Sequence, residues 1–260
     1  MPQPTRHAPA AREVAPGVHR LGDDVVGFFL VECADGLVLV DAGLPGHLRQ
    51  LETHLADTGR STRDISAVLL THAHPDHTGL AGPLTRAGAT VWIHRADAAT
   101  LADGPRSAMR HARPERSLLP YLLRRPAALG TPLHMARKGA FTAKPVPGVR
   151  TFDDDARPTG VPGSPLAVPL PGHTPGSTGY LFADRGLLFT GDALVTHDGL
   201  TGHTGPTLVC RAFTHDGAAS HASLDRIAAL PATLLLPGHG EPLAGAPGDA
   251  AELARRTGLR

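Results

Sequence analysis

The sequence predicts an α+β protein in which two β-rich halves pack face to face. Three observations lead to this prediction. Short apolar runs rich in valine and leucine are bounded by glycine, which is typical of strands. Segments with helical apolar spacing lie between these runs. The two halves also resemble each other, because LVLVDAG (37–43) is echoed by LLFTGDA (187–193), and VLLTHAHPDH is echoed by LLLPGHGEP.

The elements of the first half follow a polar, proline-rich segment, residues 1–15, which we expect to be a flexible lead to one domain over residues 16–260. VVGFFLVE (25–32) and GLVLVDAG (36–43) predict strands joined by a hairpin turn at CADG. Apolar residues spaced at helical intervals predict a helix over 47–59 that ends at Gly59. DISAVLLTH and TVWIHRAD predict two further strands.

The middle of the chain differs from both halves and predicts an insertion over 104–145 with broken helical patterns. From Arg106 to Lys144 it contains nine Lys or Arg residues against one acidic residue, Glu115. In the second half, SPLAVPLPG (164–172) and ATLLLPGHG (232–240) predict strands. STGYLFADRGLLFTGDA (177–193) predicts a hairpin, and SHASLDRIAAL (220–230) predicts a helix.

The composition excludes several classes of protein. Hydrophobic residues make up 41% of the chain, enough for a sizeable core, and the net charge of +1 gives no sign of a nucleic-acid partner. The two cysteines are too few for a disulfide framework. No apolar run approaches the roughly 18 residues that span a bilayer, and the N-terminus lacks the apolar core of a secretion signal. We therefore expect a soluble cytoplasmic protein without a nucleic-acid or membrane partner.

The motif that carries chemistry is HAHPDH, directly after an apolar strand. His72 and His74 are two residues apart, so both side chains point the same way in an extended segment. Asp76 and His77 are adjacent and are placed to serve a second ion. Three more ligand-type residues follow predicted strands far along the chain, and these are His173, Asp192 and His239. Four such strand ends in one chain predict a metal site rather than isolated polar turns.

This set of seven residues resembles that of the metallo-β-lactamase superfamily, over about residues 15 to 242. The resemblance implies an αββα sandwich with a dinuclear site at one edge and a helical lid formed by the insertion. It assigns His72, His74 and His173 to one ion, and Asp76, His77 and His239 to the other. Asp192 would bridge the two ions, and Asp41 would orient a ligand imidazole.

The ligand types suit two divalent zinc ions, with iron or manganese as alternatives. Two ions about 3.5–4 Å apart can share a hydroxide, which is the nucleophile we expect, and Asp76 is the residue expected to orient it. The resemblance implies a hydrolase that acts on an ester, thioester or lactone carbonyl. A mononuclear-iron sulfur dioxygenase, a phosphodiesterase of the same fold, and a non-catalytic scaffold are the alternatives.

Comparison with branches of the superfamily narrows the range of candidate substrates. True β-lactamases of this fold generally lack the bridging aspartate that Asp192 supplies. The glyoxalase II-like thioesterases and the acyl-homoserine lactonases are more similar. However, glyoxalase II has a C-terminal helical domain that we do not expect here, because the sequence ends at Arg260. The lactonases often have a tyrosine shortly after the bridging aspartate, where this chain has Val195 and His197.

The basic insertion is expected to cover the metal edge and to contact a small-molecule substrate. Its arginines are suited to a carboxylate, a phosphate or the phosphopantetheine arm of a carrier or coenzyme A thioester. A solvated basic face is the simpler interpretation. The candidate substrate contacts are His197, Arg110, Arg113, Tyr121 and Arg124. The sequence does not specify the oligomeric state.

Overall fold

Two mixed β-sheets face each other across an apolar layer in the computed structural model, which describes residues 11–260. The first sheet has seven strands in the order of the chain, antiparallel from β1 to β4 and parallel from β4 to β7. They are β1 (Arg12–Ala15), β2 (Val18–Gly22), β3 (Gly27–Cys33), β4 (Gly36–Val40), β5 (Ile65–Leu69), β6 (Thr90–His94) and β7 (Arg150–Phe152).

The second sheet has five strands in the order β14-β13-β10-β9-β8, and a separate hairpin pairs β11 with β12. The strands are β8 (Leu166–Pro169), β9 (Thr178–Phe182), β10 (Leu187–Gly191), β11 (Val195–Asp198), β12 (His203–Thr207), β13 (Leu234–Pro237) and β14 (Leu243–Ala244). β10 and β13 run parallel, as do β4 and β5 in the first sheet. The predicted echo between the halves is therefore a shared arrangement of parallel strands whose ends lie at one edge.

Eight helices lie among the described residues, and they are α1 (Leu48–Asp57), α2 (Ala81–Ala87), α3 (Arg95–Asp103), α4 (Ala108–His111), α5 (Leu119–Arg124), α6 (Gly130–Arg137), α7 (Gly217–Ala228) and α8 (Pro247–Thr257). α1 and α2 pack on the outer face of the first sheet, and α7 and α8 pack on the outer face of the second. The order of layers is helix, sheet, sheet, helix, which confirms the predicted αββα sandwich. Within residues 11–260, every helix is too short or too polar to cross a bilayer.

Alternation along the strands creates these layers. In β4, Leu37 and Leu39 join the core beneath α1, whereas Val38 and Val40 join the core between the sheets. In β10, Leu187 and Phe189 face the first sheet, and Leu188 faces the helices of the second half. A strand that is buried on both faces has a continuous apolar sequence, which is why there is little polar alternation here.

The structure corrects two expectations about the elements and adds one helix. Arg12–Ala15 is not part of a flexible lead, because it forms β1 and pairs antiparallel with β2; residues 1–10 of that segment lie outside the described residues. The helix predicted over 220–230 is α7, and it begins at Gly217. It begins there because the Asp216 side chain accepts from the Ala219 N–H and so caps the helix. Helix α8 was not predicted, although three of its alanines are buried against the second sheet's helical core.

Two hydrogen bonds join the sheets where β5 ends. The Tyr180 hydroxyl, fully buried in β9, donates to the Leu70 carbonyl at 2.9 Å. One step further along, the Thr178 N–H donates to the Thr71 carbonyl at 2.8 Å. The segment that follows, which begins with His72, is therefore fixed relative to the second half of the chain.

We expect Tyr180→Phe to lower the free energy of unfolding by about 1–3 kcal/mol, because the buried Leu70 carbonyl loses its partner. The measurement is urea unfolding at a fixed metal concentration. The chain's other tyrosine is a matched control: the Tyr121 hydroxyl donates to the Arg260 carbonyl in a partly buried setting, so Tyr121→Phe should cost less. Equal losses in the two variants would contradict this account.

Candidate metal centre

The seven predicted ligands meet at one edge of the sandwich, beyond the ends of the strands that precede them. His72, His74, Asp76 and His77 lie in the loop after β5, and His173 follows β8. Asp192 follows β10, and His239 follows β13. Five of the seven are buried, and His74 and His239 are half-buried, which is unusual for groups that titrate.

The first cluster consists of three imidazole nitrogens. His173 Nε2 lies 3.2 Å from His72 Nε2 and 2.8 Å from His74 Nδ1. The Nδ1 atom of His72 contacts the Thr71 hydroxyl at 3.0 Å, and that hydroxyl donates its single proton to Asp41. His72 Nδ1 must therefore carry the ring proton, which leaves an Nε2 lone pair pointing into the cluster.

The second cluster consists of Asp76, His77 and His239. The Asp76 carboxylate lies 3.7 Å from His77 Nε2 and 3.4 Å from His239 Nε2. His77 Nδ1 donates to Asp41 at 2.8 Å, and His239 Nδ1 donates to the Val25 carbonyl at 2.5 Å. Both rings therefore present Nε2 to the cluster, because Nδ1 is occupied by a hydrogen bond.

Asp192 lies between the clusters. Its carboxylate is 3.3 Å from His173 Nε2 on one side and 3.1 Å from His239 Nε2 on the other, and it is 3.5 Å from His77 Nε2. Among the described residues, buried Asp192 Oδ1 and His77 Nε2 have no hydrogen-bond partner. Two buried polar atoms left unsatisfied at the centre of a donor set fit a cation, because an unpaired buried polar atom is otherwise costly.

Asp41 lies where the sequence placed it and orients more than one ligand. It adopts a left-handed conformation with φ of 58° directly after β4, which is rare for a residue other than glycine. Its carboxylate accepts from the Thr71 N–H at 2.8 Å, from the Thr71 hydroxyl and from His77 Nδ1. Strained backbone at this point therefore aligns His77 directly and His72 through Thr71.

Asp97 is a supporting residue that the sequence analysis missed. It lies buried in the first turn of α3, and its carboxylate accepts from the N–H groups of Ala73 and Gly176 and from the Thr174 hydroxyl. Asp97 thus ties the His72 loop to the His173 loop. No local pattern distinguishes it from an ordinary acidic residue at a helix start, so only the tertiary structure identifies it.

The electrostatics of the two clusters differ. Burial, together with the neighbouring imidazoles, lowers the pKa of His72 and of His173 well below the ordinary value, and burial also lowers the pKa of His74. Burial alone would lower the pKa of His77 too, but Asp192, Asp41 and Asp76 outweigh it and raise this pKa to about 10.

In His239 and Asp192 too, burial disfavours the charged form and nearby opposite charges favour it. Burial would lower the pKa of His239, but Asp192 and Asp76 raise it to about 9. Burial would raise the pKa of Asp192, but His239 and His77 hold it well below its ordinary value. Without a bound ion, two imidazolium groups therefore compensate the carboxylates at neutral pH.

A cavity of about 210 Å³ opens over the ligands. His74, Asp76, His173, Asp192 and His239 form its floor. Its walls are largely apolar and include Val25, Met109, Met135, Phe141, Leu200 and Phe213. Three of these, Met109, Met135 and Phe141, come from the insertion, which therefore covers the metal edge as the sequence predicted.

Only one of the five candidate substrate contacts lines this cavity, and it is His197. Arg110 is instead paired with Asp103 on the exposed surface, and Arg113 offers its carbonyl to His215 Nδ1. Tyr121 packs in a small apolar cluster with Ala128, Leu200, Cys210 and Ala212. Tyr121 and Arg124 line a separate cleft, described below. These four therefore lie away from the cavity over the ligands, and their contact with a substrate stays a prediction. Arg106 is the arginine on that cavity wall.

Comparisons with known proteins give the same picture. The family model described as the metallo-beta-lactamase superfamily matches residues 21–239. The uncharacterised protein YobT of Bacillus subtilis strain 168 is 31% identical over 177 residues, which are 67% of this chain and 64% of YobT. The chain thus spans less than two thirds of YobT. A protein of the same organism named "Probable metallo-hydrolase YflN" is 26% identical over 273 residues, 98% of this chain and 97% of YflN.

Solved structures with the same fold include one with bound iron. The metallo-beta-lactamase family protein TTHA1429 from Thermus thermophilus superposes with a TM-score of 0.67 at 27% identity, over 94% of this chain and 80% of that one. TTHA1623, solved in a di-iron-bound form, superposes with a TM-score of 0.63 at 26% identity, over 90% of this chain and 96% of that one.

We expect the two clusters to release different numbers of protons when they bind Zn²⁺. His72, His74 and His173 are neutral at pH 7, so their ion displaces few protons, whereas an ion at His77 and His239 must displace at least two. Titration calorimetry of the metal-free protein in two buffers of different ionisation enthalpy counts these protons. The second count should fall as the pH is raised towards 9. Equal counts for both steps would contradict the charge assignment.

Proposed function

The chain belongs to the metallo-beta-lactamase superfamily, and we propose that it is a hydrolase that uses two divalent ions to cleave an ester, thioester or lactone carbonyl. The observation that carries this proposal is the pair of ligand clusters joined by Asp192 on the floor of an apolar cavity. The proposed ions are zinc, because the donors are imidazole and carboxylate without thiolate. When bound, such ions supply Lewis acidity and a water of lowered pKa.

The residues of the chain have distinct proposed roles. Asp76 faces His77 and His239 and also lines the cavity, so it is placed to orient the attacking water and to accept its proton. His197, on β11 beyond Asp192, lines the same cavity and is proposed to donate a proton to the leaving group. The apolar walls exclude water from the acyl group, which strengthens every electrostatic interaction on the floor.

A second cleft favours a thioester whose thiol-bearing part carries a phosphate group. Four arginines, Arg116, Arg124, Arg125 and Arg260, line a cleft of about 460 Å³ together with Tyr121, and we call it the arginine cleft. Leu200 lines both this cleft and the cavity over the ligands, so the two are neighbours. Within residues 11–260, none of the four guanidinium groups forms an ion pair with a carboxylate.

Four like charges in one cleft repel one another unless an anion joins them. Arginine binds phosphate oxygens through two parallel hydrogen bonds, which makes such a cleft suited to a phosphate group. If the acyl group lies in the apolar cavity and the phosphate of the thiol-bearing part lies in the arginine cleft, the thioester bond lies between the two groups. The carrier-linked or coenzyme A-linked acyl group that the sequence suggested is therefore the proposed substrate class.

Several expectations stay predictions from the sequence. They are a cytoplasmic location and the absence of a nucleic-acid or membrane partner. One set of measurements distinguishes the proposal from its three alternatives, which are the mononuclear-iron dioxygenase, the phosphodiesterase and the scaffold. Two zinc ions per chain with thioester turnover support the proposal, whereas one iron with consumption of O₂, or turnover of phosphodiesters alone, replaces it. Intact folding with no turnover of any substrate supports the scaffold.

We expect His74→Ala and Asp192→Ala to abolish metal-dependent hydrolysis and to leave most of the secondary structure intact. Each variant removes a ligand atom, and Asp192 contributes to both clusters. The measurements are kcat/KM on a panel of thioesters and lactones, metal content and circular dichroism. His221→Ala, on α7 outside the site, is the control and should retain activity. Activity close to that of the wild type in either ligand variant would show that the site is wrongly assigned.

We expect charge reversal in the arginine cleft, Arg116→Glu with Arg124→Glu, to raise KM for acyl-coenzyme A at least about tenfold and to leave kcat nearly unchanged. The loss should be greatest at low salt, because screening weakens attraction between exposed charges. KM for a short acyl thioester without phosphate should not change. Arg110→Glu with Arg113→Glu is the matched control, since neither side chain lines the cavity or the cleft. Equal effects from both pairs would remove phosphate recognition from the proposal.

A further inference from the structure

Asp23 is a buried aspartate, outside the seven ligands, that gathers an unusual number of donors. It lies in the turn between β2 and β3, and its side chain is 11% exposed. One carboxylate oxygen accepts from the N–H groups of Val25 and Val26 at 2.9 and 3.1 Å. The other accepts from His47 Nε2 at 2.9 Å and from His134 Nε2 at 2.8 Å.

The first of these oxygens shapes the turn that reaches a ligand. Because Asp23 fixes the N–H groups of Val25 and Val26, the Val25 carbonyl is directed towards the metal edge, where it accepts from His239 Nδ1 at 2.5 Å. A second bond, from the Gly27 N–H to the Gly238 carbonyl at 2.8 Å, holds the same two segments together. The tautomer and the orientation of His239 thus depend on a turn that Asp23 organises.

The second oxygen is occupied from two directions. His47 Nδ1 accepts from the Leu44 N–H at 3.1 Å, so its proton is on Nε2 and it reaches Asp23 as a neutral donor from the body of the protein. His134 comes from the insertion, on α6, and Lys138 Nζ lies 3.8 Å from the same oxygen. Burial would raise the pKa of the Asp23 carboxyl, but the hydrogen bonds from His47, Val25 and Val26 hold it well below its ordinary value.

Helix α6 also forms part of the cavity. Thr131 and Met135 line the wall. Thr131 precedes His134 by three residues, and Met135 precedes Lys138 by three, a spacing that places each pair on one side of the helix. Met135 and Val25 both pack on the small apolar cluster of Val26, Leu44 and Ala140. The helix that shapes the substrate cavity is therefore attached to the turn that orients His239.

We propose that Asp23 is a positioning residue that couples the lid helix α6 to the metal ligand His239. The coupling rests on the proposed function, since it requires His239 to hold an ion. When His134 is bound to Asp23, the Val25 carbonyl is held against His239 Nδ1, and His239 Nε2 faces Asp76 and Asp192. When α6 moves away, the turn loses one of its anchors and His239 is less firmly oriented. Closure over a substrate and affinity for the second ion therefore favour each other.

The test measures ion binding by the full chain, independently of turnover. Metal-free protein is titrated with Co²⁺, followed by its visible absorption, and with Zn²⁺, followed by calorimetry. Asp23→Asn keeps only one acceptor oxygen, so it cannot accept both from the two imidazoles and from the N–H groups of Val25 and Val26. We expect it to weaken the second ion by about 10- to 100-fold while the first is unchanged. His134→Ala, on the lid, should weaken the second ion in the same direction by a smaller factor. In the Asp23→Asn background, His134→Ala should have little further effect.

The chain offers a matched control on the same insertion. His111 Nε2 contacts Asp103 at 2.9 Å, so His111→Ala breaks another histidine–aspartate pair of the lid, away from the ligands. It should leave both ion affinities unchanged. A loss of thermal stability in Asp23→Asn or His134→Ala with normal affinity for the second ion would reduce the pair to a structural brace and overturn the proposal.

The remaining outcomes are also decisive. If Asp23→Asn does not fold, His134→Ala carries the test, because His134 is partly exposed on a surface helix. If the wild type binds a single ion of any affinity, both the dinuclear function and this coupling fail. If the wild type binds two ions and His134→Ala binds both normally, the coupling alone fails and the proposed function stands.

Discussion

The buried carboxylate of Asp192 is the interaction on which the rest of this structure depends. It lies within 3.1 to 3.5 Å of imidazole nitrogens of His77, His173 and His239, which come from both halves of the chain. A charged group in such a position is strongly disfavoured unless opposite charge and hydrogen bonds surround it. The parallel strands that end together bring the compensating imidazoles to this carboxylate, and the polar residues beneath the ligands hold them there.

Those supporting residues explain why the ligands are held so closely. Asp41 and Asp97 each accept at least three hydrogen bonds, and both join segments that are distant in the sequence. The two sheets are also joined by the hydrogen bond from Tyr180 to the Leu70 carbonyl, two residues before His72. The imidazoles are thus oriented by rigid elements before any ion binds, which is the condition for tight and selective coordination.

The αββα layers, the seven ligand-type residues that meet at one edge and the place of Asp41 beside them could be predicted, because each depends on a local signal. Apolar runs mark the strands, and ligand-type residues follow directly after them. The same reasoning did not identify Arg106, which lines the cavity, and it missed Asp23 and Asp97. These side chains act through contacts with residues far away in the chain, such as Asp23 with His134. Short helices of the insertion have no strong period, so their facing sides cannot be identified from the sequence.

One consequence concerns the maturation of the protein in the cell. His72 and His173 are separated by 101 positions, yet their nitrogens are in contact. A nascent chain that has emerged only as far as the first half can offer the HAHPDH loop but not the rest of the donor set. If these residues hold ions as proposed, full affinity would require the second sheet to be docked, and metal loading would follow folding and then stabilise its product. The supply of ions would accordingly influence how long a newly made molecule persists.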